Sequence, residues 1–263
     1  MKVLVIDIGG TNVKVCTSGR TESLKIPSGP ELTAARMAKA VKKATAGWTY
    51  DAVSIGFPGP VTNHRPASEP YNLGGGWVRF DYRKAFGKPV RVVNDAAMQA
   101  LGSYQGGRML FLGLGTGLGS AFVAHGQLEP LELAHLPYRH HRTYEDYAGL
   151  RGYKRLGRKK WSRHVLKIVE LLKQGLQADY VMLGGGNSRK LKRLPPGARL
   201  GDNVNAITGG IRLWDDARKP RKPPASSARR KSAAPAHQDG SSPKESGSPQ
   251  ASTRRAAMPF SPT

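Results

Sequence analysis

The pair Asn94-Asp95 occupies a position from which a carboxylate could take a proton from a substrate. It follows residues 89–93, which are predicted to form a strand, and precedes residues 96–104, which have a helical pattern. A carboxylate at such a junction lies at the edge of a cleft and can act as general base for a hydroxyl that attacks phosphorus. The structural alternative is helix capping, for which Asn and Asp are favoured on their own account.

A tight turn directly after an apolar strand forms a second candidate site. Its glycines let backbone N–H groups approach phosphate oxygens without a Cβ in the way. The acid at the strand end could hold Mg²⁺ through water, and the neighbouring polar residues add donors. The residues of this predicted anion site are Asp7, Gly9, Gly10, Thr11, Asn12 and Lys14. An ordinary hairpin turn is the alternative.

A second glycine turn lies between residues 113 and 120 and offers Gly115, Thr116 and Gly117 to a phosphate chain. Gly184, Gly185 and Gly186 follow another apolar run and would let an adenosine or another part of a donor lie on the backbone. The sequence contains no P-loop motif, and residues 113–119 do not satisfy the dinucleotide fingerprint. Two phosphate-binding classes are therefore excluded.

Groups suited to a sugar occur in the central part of the chain. Glu132 and His135 are three residues apart, and Glu145 follows. Carboxylates and imidazole are suited to hydrogen bonds with vicinal hydroxyls, whereas the spacing matches no recognised zinc pattern. Asn72 offers an amide on an earlier loop, and the nearby Trp77 is expected to belong to the local core.

The order of elements predicts an α/β protein in two related halves. Strand, glycine turn and strand occur over residues 2–17 and again over 109–124, each followed by further helices and strands. Helical patterns are predicted over 31–46, 96–104 and 164–174, and buried strands over 52–57 and 180–183. We expect domains at 1–96 and 97–216, with a cleft between them.

Composition narrows the class of protein. The chain has 263 residues, 42 Lys+Arg against 18 Asp+Glu and a net charge of +24, and only 38% of its residues are hydrophobic. A single cysteine, Cys16, excludes an internal disulfide and a Cys-rich zinc cluster, and fits a reducing compartment. No apolar run approaches the roughly 20 residues of a membrane helix. We therefore expect a soluble, cytoplasmic protein with an affinity for anions.

The positive charge is concentrated in two places. Residues 217–263 hold ten basic and two acidic residues among Pro, Ser and Ala, so we expect a disordered tail. This tail is either a solvated extension without a specific role or a segment that contacts polyanions non-specifically. Residues 139–164 hold nine basic residues against Glu145 and Asp146. Such a density is tolerated more easily if an anion docks there, and a solvated helix face is the alternative.

Taken together, five segments occur in the order found in ROK-family sugar kinases, and the sequence most resembles the branch of polyphosphate glucokinases. The segments are 7–12, 56–60, 94–95, 113–117 and 132–135. The resemblance spans nearly all of residues 1–214 and leaves out the tail.

This resemblance implies an actin/hexokinase-like fold of two ribonuclease H-like domains that close on glucose. Asp95 would activate the sugar 6-hydroxyl, and Asn94, Glu132, His135 and Glu145 would bind sugar hydroxyls. The first two glycine turns would face Mg²⁺ and the phosphates of polyphosphate or ATP, and residues 184–186 would match the adenosine-side loop. A basic groove with Lys154, Arg155, Lys159 and Lys160 would hold polyphosphate, and a homodimer is expected.

The sequence also departs from the family. Many members carry a Cys-rich zinc motif where this chain has residues 139–147, so we expect no zinc. Ala134 replaces a glycine of many members, as in the polyphosphate-using branch. The first strand begins at Val3, which leaves no room for the helix-turn-helix of the family's repressors. The competing hypothesis is a catalytically inactive protein of the same fold that binds polyphosphate or nucleic acid.

Overall fold

The computed structural model describes residues 1–202 and 204–215, which lie within one compact unit spanning residues 1–220. The expectation of a disordered tail over residues 217–263 concerns residues outside this described part. No helix within the described ranges is both long and apolar enough to cross a membrane.

The first half of the chain builds a mixed sheet of five strands. In chain order the elements are β1 (Val3–Ile8), β2 (Asn12–Thr17), β3 (Leu24–Pro27), α1 (Ala34–Ala44), β4 (Ala52–Phe57), β5 (Val61–Thr62), β6 (Arg65–Pro66), α2 (Tyr82–Phe86) and β7 (Val90–Asn94). The sheet order is β3-β2-β1-β4-β7. Strands β1, β4 and β7 are parallel, and β1, β2 and β3 pair antiparallel. All residues of β1 and β4 are buried, which explains why their sequences are mainly apolar apart from Asp7 and Ser54.

The second half repeats this plan after α3 (Asp95–Ser103). Its elements are β8 (Arg108–Leu114), β9 (Leu118–Ala124), β10 (Gln127–Leu131), β11 (Pro137–Arg139), β12 (Arg142–Thr143), α4 (Tyr144–Ala148), α5 (Leu150–Gly175), β13 (Tyr180–Gly184), a 3₁₀ turn (Ser188–Lys190), β14 (Ala198–Leu200) and α6 (Asn205–Arg212). The second sheet has the order β10-β9-β8-β13-β14. The division into domains at residues 96 and 97 stays a prediction.

Helices α3 and α6 pack against each other and contact both sheets. Ala96, Ala97 and Ala100 of α3 share a core with β8, whereas Met98 packs with β1 and α6. The two helices approach closely at Gly209, where a Cβ would overlap the carbonyl oxygen of Met98. This tight crossing fixes α3, and with it the position of Asp95 at its first turn.

Local sequence accounts for most of the helix boundaries. Thr33 caps α1, its side chain accepting the Arg36 N–H at 3.2 Å, and the buried residues Met37 and Val41 follow at helical spacing. Helix α5 is longer than predicted and bends at Gly157, whose φ of 69° is left-handed. Trp161 anchors the second part of α5, because its buried ring donates to the Ala148 carbonyl at 2.9 Å.

Candidate functional site

Asp7 lies on β1, and Asp95 directly follows β7, which is separated from β1 by β4 in the first sheet. Asp7 of β1 is level with Gly56 of β4, and Gly56 is level with Val93 of β7, two residues before Asp95. The strands are parallel, so their carboxyl ends meet at one edge. A Cβ at Gly56 would lie 3.4 Å from Asp7 Oδ1, so the glycine leaves room for this carboxylate.

The surroundings of Asp95 at this sheet edge raise the pKa of its carboxyl toward neutral pH. Burial raises the pKa of Asp95 to about 7, and the negative charge of Asp7 adds to the rise. The Ala96 N–H, which donates to Asp95 Oδ1 at 2.8 Å, opposes it. Burial also raises the pKa of Asp7, against the influence of Lys14, whose Nζ lies 3.9 Å from Asp7 Oδ2. Such a carboxyl is suited to accept a proton during catalysis.

Asn94 caps α3. Its Oδ1 accepts the N–H groups of Ala96 and Ala97 at 2.9 and 3.2 Å, and its Nδ2 donates to the Gly59 carbonyl at 3.1 Å. Both acceptor sites and one of the two amide hydrogens are therefore used. The structural interpretation of Asn94 is thus confirmed, and one N–H remains for a ligand.

Three glycines from three separate loops face open space. A Cβ placed on Gly10, Gly115 or Gly186 would meet nothing within 4 Å, and none of these residues has a φ in the left-handed range. Neither packing nor backbone conformation therefore requires glycine at these positions. Bare backbone with free space over it is what a phosphate needs to reach main-chain N–H groups.

The second and third of these loops contact each other. Asn187 donates through its backbone N–H to the Leu114 carbonyl at 2.9 Å and through Nδ2 to the Gly115 carbonyl at 2.7 Å. Gly185, with a φ of 77°, lies so close to the Leu114 backbone that only glycine fits. The two glycine loops are therefore adjacent, as a shared ligand would require.

A cavity of about 210 Å³ opens beside these loops. Sequence reasoning identified only the three glycines among its lining residues. Its lining residues are Gln99, Phe111, Gly184, Gly185, Gly186, Ser188, Arg189, Gly201, Asp202 and Asn205. The polar groups come from α3, the 3₁₀ turn after β13, the loop after β14 and the start of α6, elements that only the folded topology brings together. No local sequence motif marks them.

Glu145 is bound to the second glycine turn. Its Oε2 accepts the Leu118 N–H at 3.2 Å, and its Oε1 lies 3.2 Å from the Arg151 guanidinium. A Cβ on Gly117 would overlap this carboxylate, which explains the glycine there. The Glu145 N–H donates to the Ala134 carbonyl at 3.0 Å, so Glu145 also reaches the loop that carries the predicted sugar ligands.

Glu132 and His135 lie on that loop, with Oε1 and Nε2 3.9 Å apart and with 63% and 74% of their side chains exposed. Ser120 of β9 holds the loop, since its Oγ donates to the Leu131 carbonyl and accepts the Leu133 N–H. The preceding residue of β9, Gly119, packs against Ala96. The pair is thereby linked to the start of α3. Asn72 lies on a different, exposed loop between β6 and α2.

The predicted polyanion patch lies on α5. Lys154, Arg155, Lys159 and Lys160 are all exposed, and they flank the bend at Gly157. Arg155 also has structural partners, because it donates to the Asp146 carbonyl at 2.7 Å and its guanidinium lies 4.9 Å from the centre of the Tyr147 ring. The three lysines are thus the more available charges.

Within residues 1–202 and 204–215, no three His, Cys, Asp or Glu side chains come together in a group that could hold a metal ion. The paired carboxylates of Asp7 and Asp95 are nevertheless suited to Mg²⁺, which takes one or two protein carboxylates and fills its other positions with water and substrate phosphates. The expected absence of zinc stays a prediction.

Comparison with known proteins gives a consistent result. The sequence profile of the ROK family matches residues 3–129. The polyphosphate glucokinase of Mycobacterium tuberculosis is 25% identical to this chain, with 73% of this chain and 80% of the relative covered. That of Mycobacterium leprae is 26% identical over 73% of this chain and 65% of the relative.

Solved structures show the same fold. An inorganic polyphosphate/ATP-glucomannokinase from Arthrobacter sp. strain KM superimposes with a TM-score of 0.70 at 24% identity, covering 83% of this chain and 99% of that one. A ROK family glucokinase from Streptomyces griseus, in complex with glucose and AMPPNP, superimposes with a TM-score of 0.63 at 19% identity, covering 81% and 99%. The predicted α/β, actin/hexokinase-like fold is confirmed for the described residues.

Proposed function

We propose that this chain, whose residues 3–129 match the ROK family profile, is a sugar kinase that transfers a phosphoryl group from polyphosphate or ATP to the 6-hydroxyl of glucose. The observation that carries the proposal is the position of the Asp95 carboxyl at the same sheet edge as Asp7, where burial and the charge of Asp7 raise its pKa to about 7. Glycine loops with open space over their backbone supply a place for the donor.

In this proposal Asp95 is the general base. Its carboxylate accepts the proton of the 6-hydroxyl as that oxygen attacks phosphorus, and the reaction depends mainly on positioning. The remaining N–H of Asn94 binds a sugar hydroxyl next to it. The other sugar ligands are Asn72, Glu132, His135 and Glu145, carried over from the sequence analysis as proposals.

Mg²⁺ is the proposed metal, and Asp7 would hold it through water. A divalent cation would relieve the repulsion between the buried carboxylate of Asp7 and the half-buried carboxylate of Asp95. When bound, Mg²⁺ neutralises charge on the donor phosphates. Lys14, next to Asp7, adds a positive charge on the same side. Gly9, Thr11, Asn12, Thr116 and Gly117 complete the proposed phosphate-facing set.

Replacing Gly115 with alanine tests the proposed donor site. We expect an unchanged free energy of unfolding, because the new Cβ meets no protein atom, and a KM for the donor raised about tenfold, because it keeps phosphate away from the backbone. The matched control is Gly175→Ala, another open position at the end of α5, which should leave the KM unchanged. An unaltered donor KM in Gly115→Ala would remove this loop from the donor site.

Neutralising Lys154, Arg155, Lys159 and Lys160 together tests the basic patch. We expect kcat/KM with polyphosphate to fall about tenfold and the value with ATP to change much less, because only the longer anion reaches α5. The control replaces Lys39, Lys42 and Lys43, which are exposed on α1, by glutamine. Equal losses with both donors would identify the patch as a solvated helix face.

The proposed function itself is tested by a coupled assay with glucose and Mg²⁺ that compares ATP with polyphosphate. Glucose 6-phosphate should form with at least one of the donors. A purified protein that binds polyphosphate or DNA tightly and forms no sugar phosphate with either donor would instead be the inactive polyanion-binding protein.

A further inference from the structure

The cavity of about 210 Å³ beside the glycine loops is called here the donor cavity. We propose that a long polyphosphate chain leaves this cavity along residues 189–193 and enters a second site. The second site is the groove between α5 and residues 193–196, called here the α5 groove. The identity of the anion rests on the proposed function. The site lies beyond the patch at residues 154–160 and involves other side chains.

Basic side chains connect the cavity to α5. Arg189 lines the donor cavity, and Lys190, Lys192 and Arg193 follow it within one short stretch of chain. Arg189, Lys192 and Arg193 are exposed. Lys190 lies against α5, with its Nζ 4.0 Å from the centre of the Tyr153 ring. The stretch of chain from Arg189, which lines the cavity, to Arg193, which lines the groove at α5, therefore offers four positive side chains to an anion that emerges from the cavity.

The α5 groove continues this surface. It has a volume of about 880 Å³, and Arg163, Lys167, Lys173 and Arg193 line it. Glu170 is the one acidic residue among the described residues that line it, and it is already paired with Lys167 at 3.1 Å. A groove with this excess of positive charge and low-dielectric walls attracts a linear polyanion.

The lining of the groove favours polyphosphate over nucleic acid. Its apolar residues are aliphatic or proline: Leu166, Val169, Ala178, Leu194, Pro195 and Pro196. No aromatic side chain is found among the described lining residues, so bases would have no ring on which to stack. The triphosphate of ATP ends in the donor cavity, whereas a polyphosphate chain carries charge along its whole length. The groove therefore selects long chains.

The test replaces Arg163, Lys192 and Arg193 by glutamine. We expect the affinity for long-chain polyphosphate, measured without glucose, to fall about tenfold at low salt. The slope of log affinity against log salt concentration should fall by about two, because each lost phosphate contact removes roughly 0.7 of slope. The KM for tripolyphosphate should stay within about twofold, so the advantage of the long chain disappears. The control is the triple glutamine variant of Lys39, Lys42 and Lys43, which removes the same charge from α1 and should keep the wild-type slope.

Three results would overturn the inference. They are a wild-type affinity and salt slope in the triple variant, an equal loss for tripolyphosphate and long chains, and displacement of polyphosphate by a single-stranded oligonucleotide at lower concentration than by polyphosphate itself. If the triple variant does not fold, the single variant Arg193→Gln is measured instead. Its slope of log affinity against log salt concentration should fall by about 0.7, and Arg193→Lys should restore the wild-type slope. Failure of the kinase proposal is recognised separately, as absent sugar phosphate with the binding results unchanged.

Discussion

Replacing Asp95 with asparagine is expected to lower kcat by about 10²–10⁴-fold, because general-base catalysis contributes a factor of this size. The amide has nearly the same shape but cannot accept a proton from the sugar hydroxyl. Glucose binding, measured by calorimetry, should survive, since Asn94 and the loop of Glu132 and His135 are unchanged.

The same substitution should not weaken the fold. Burying an ionised carboxylate beside Asp7 is unfavourable, and a neutral amide avoids this cost. Above pH 7 the free energy of unfolding of Asp95→Asn is therefore expected to equal or exceed that of the wild type. Asp51→Asn is the matched control, because Asp51 is exposed and accepts the Lys2 N–H at 2.7 Å. Near-normal turnover in Asp95→Asn would remove Asp95 from the role of base.

The second large effect is a loss of activity in acid. The pKa of Asp95 is raised to about 7, so its carboxylate is protonated and unable to act as base at lower pH. We expect kcat/KM to fall about tenfold per pH unit below the pKa of Asp95 and to level off above it. This pKa is about 7 without a metal ion, and Mg²⁺ at Asp7 would move the acid limb to lower pH because it offsets the charge of Asp7. The measurement is a pH profile of kcat/KM for glucose at saturating donor.

Two further readouts connect this profile to Asp95. In Asp7→Asn the pKa of Asp95 should fall, and the acid limb of the profile should move to lower pH. The pKa should not return to its ordinary value, because burial, the larger cause of its rise, remains. The folded pKa of Asp95 lies above its unfolded value, so the free energy of unfolding should decrease as pH rises from about 4 to about 7. Asp95→Asn should lack this component. A flat activity profile between pH 5 and 8 would contradict the assignment.

Segments whose local pattern and buried environment agree could be predicted from the sequence. Residues 3–8, 52–57 and 180–183 are mainly apolar, with Asp7 and Ser54 as exceptions, and the strands β1, β4 and β13 are buried on both faces. The glycine turns after β1 and β13 follow these strands directly, and the turn at residues 115–117 and the junction at Asp95 follow β8 and β7 in the same way, so they too could be placed. Their positions along the chain needed no tertiary information.

Elements that depend on distant contacts could not be predicted. The first part of α5 contains Gly152, Gly157 and a dense run of basic residues, which hide its helical pattern; its buried side is completed by Trp161 further along. Helix α6 contains Gly209 and Gly210 because it packs closely on α3 and β1, and such glycines argue against a helix in the sequence alone. The position of Gln99 in the cavity could not be predicted either, because it depends on the contact between α3 and the loop after β13.

The outermost strands of both sheets are poor templates for joining another strand. In the first sheet β3 contains Lys25 and Pro27, and at the other side His64 Nδ1 lies 3.2 Å from the Val92 carbonyl oxygen of β7. In the second sheet β10 contains Pro130, and β14 has only three residues. Charges, prolines, short length and coverage are the devices by which proteins prevent edge-to-edge aggregation. We therefore expect any self-association of the described part to use helix and loop surfaces, and fibrous growth from the sheet edges to be disfavoured.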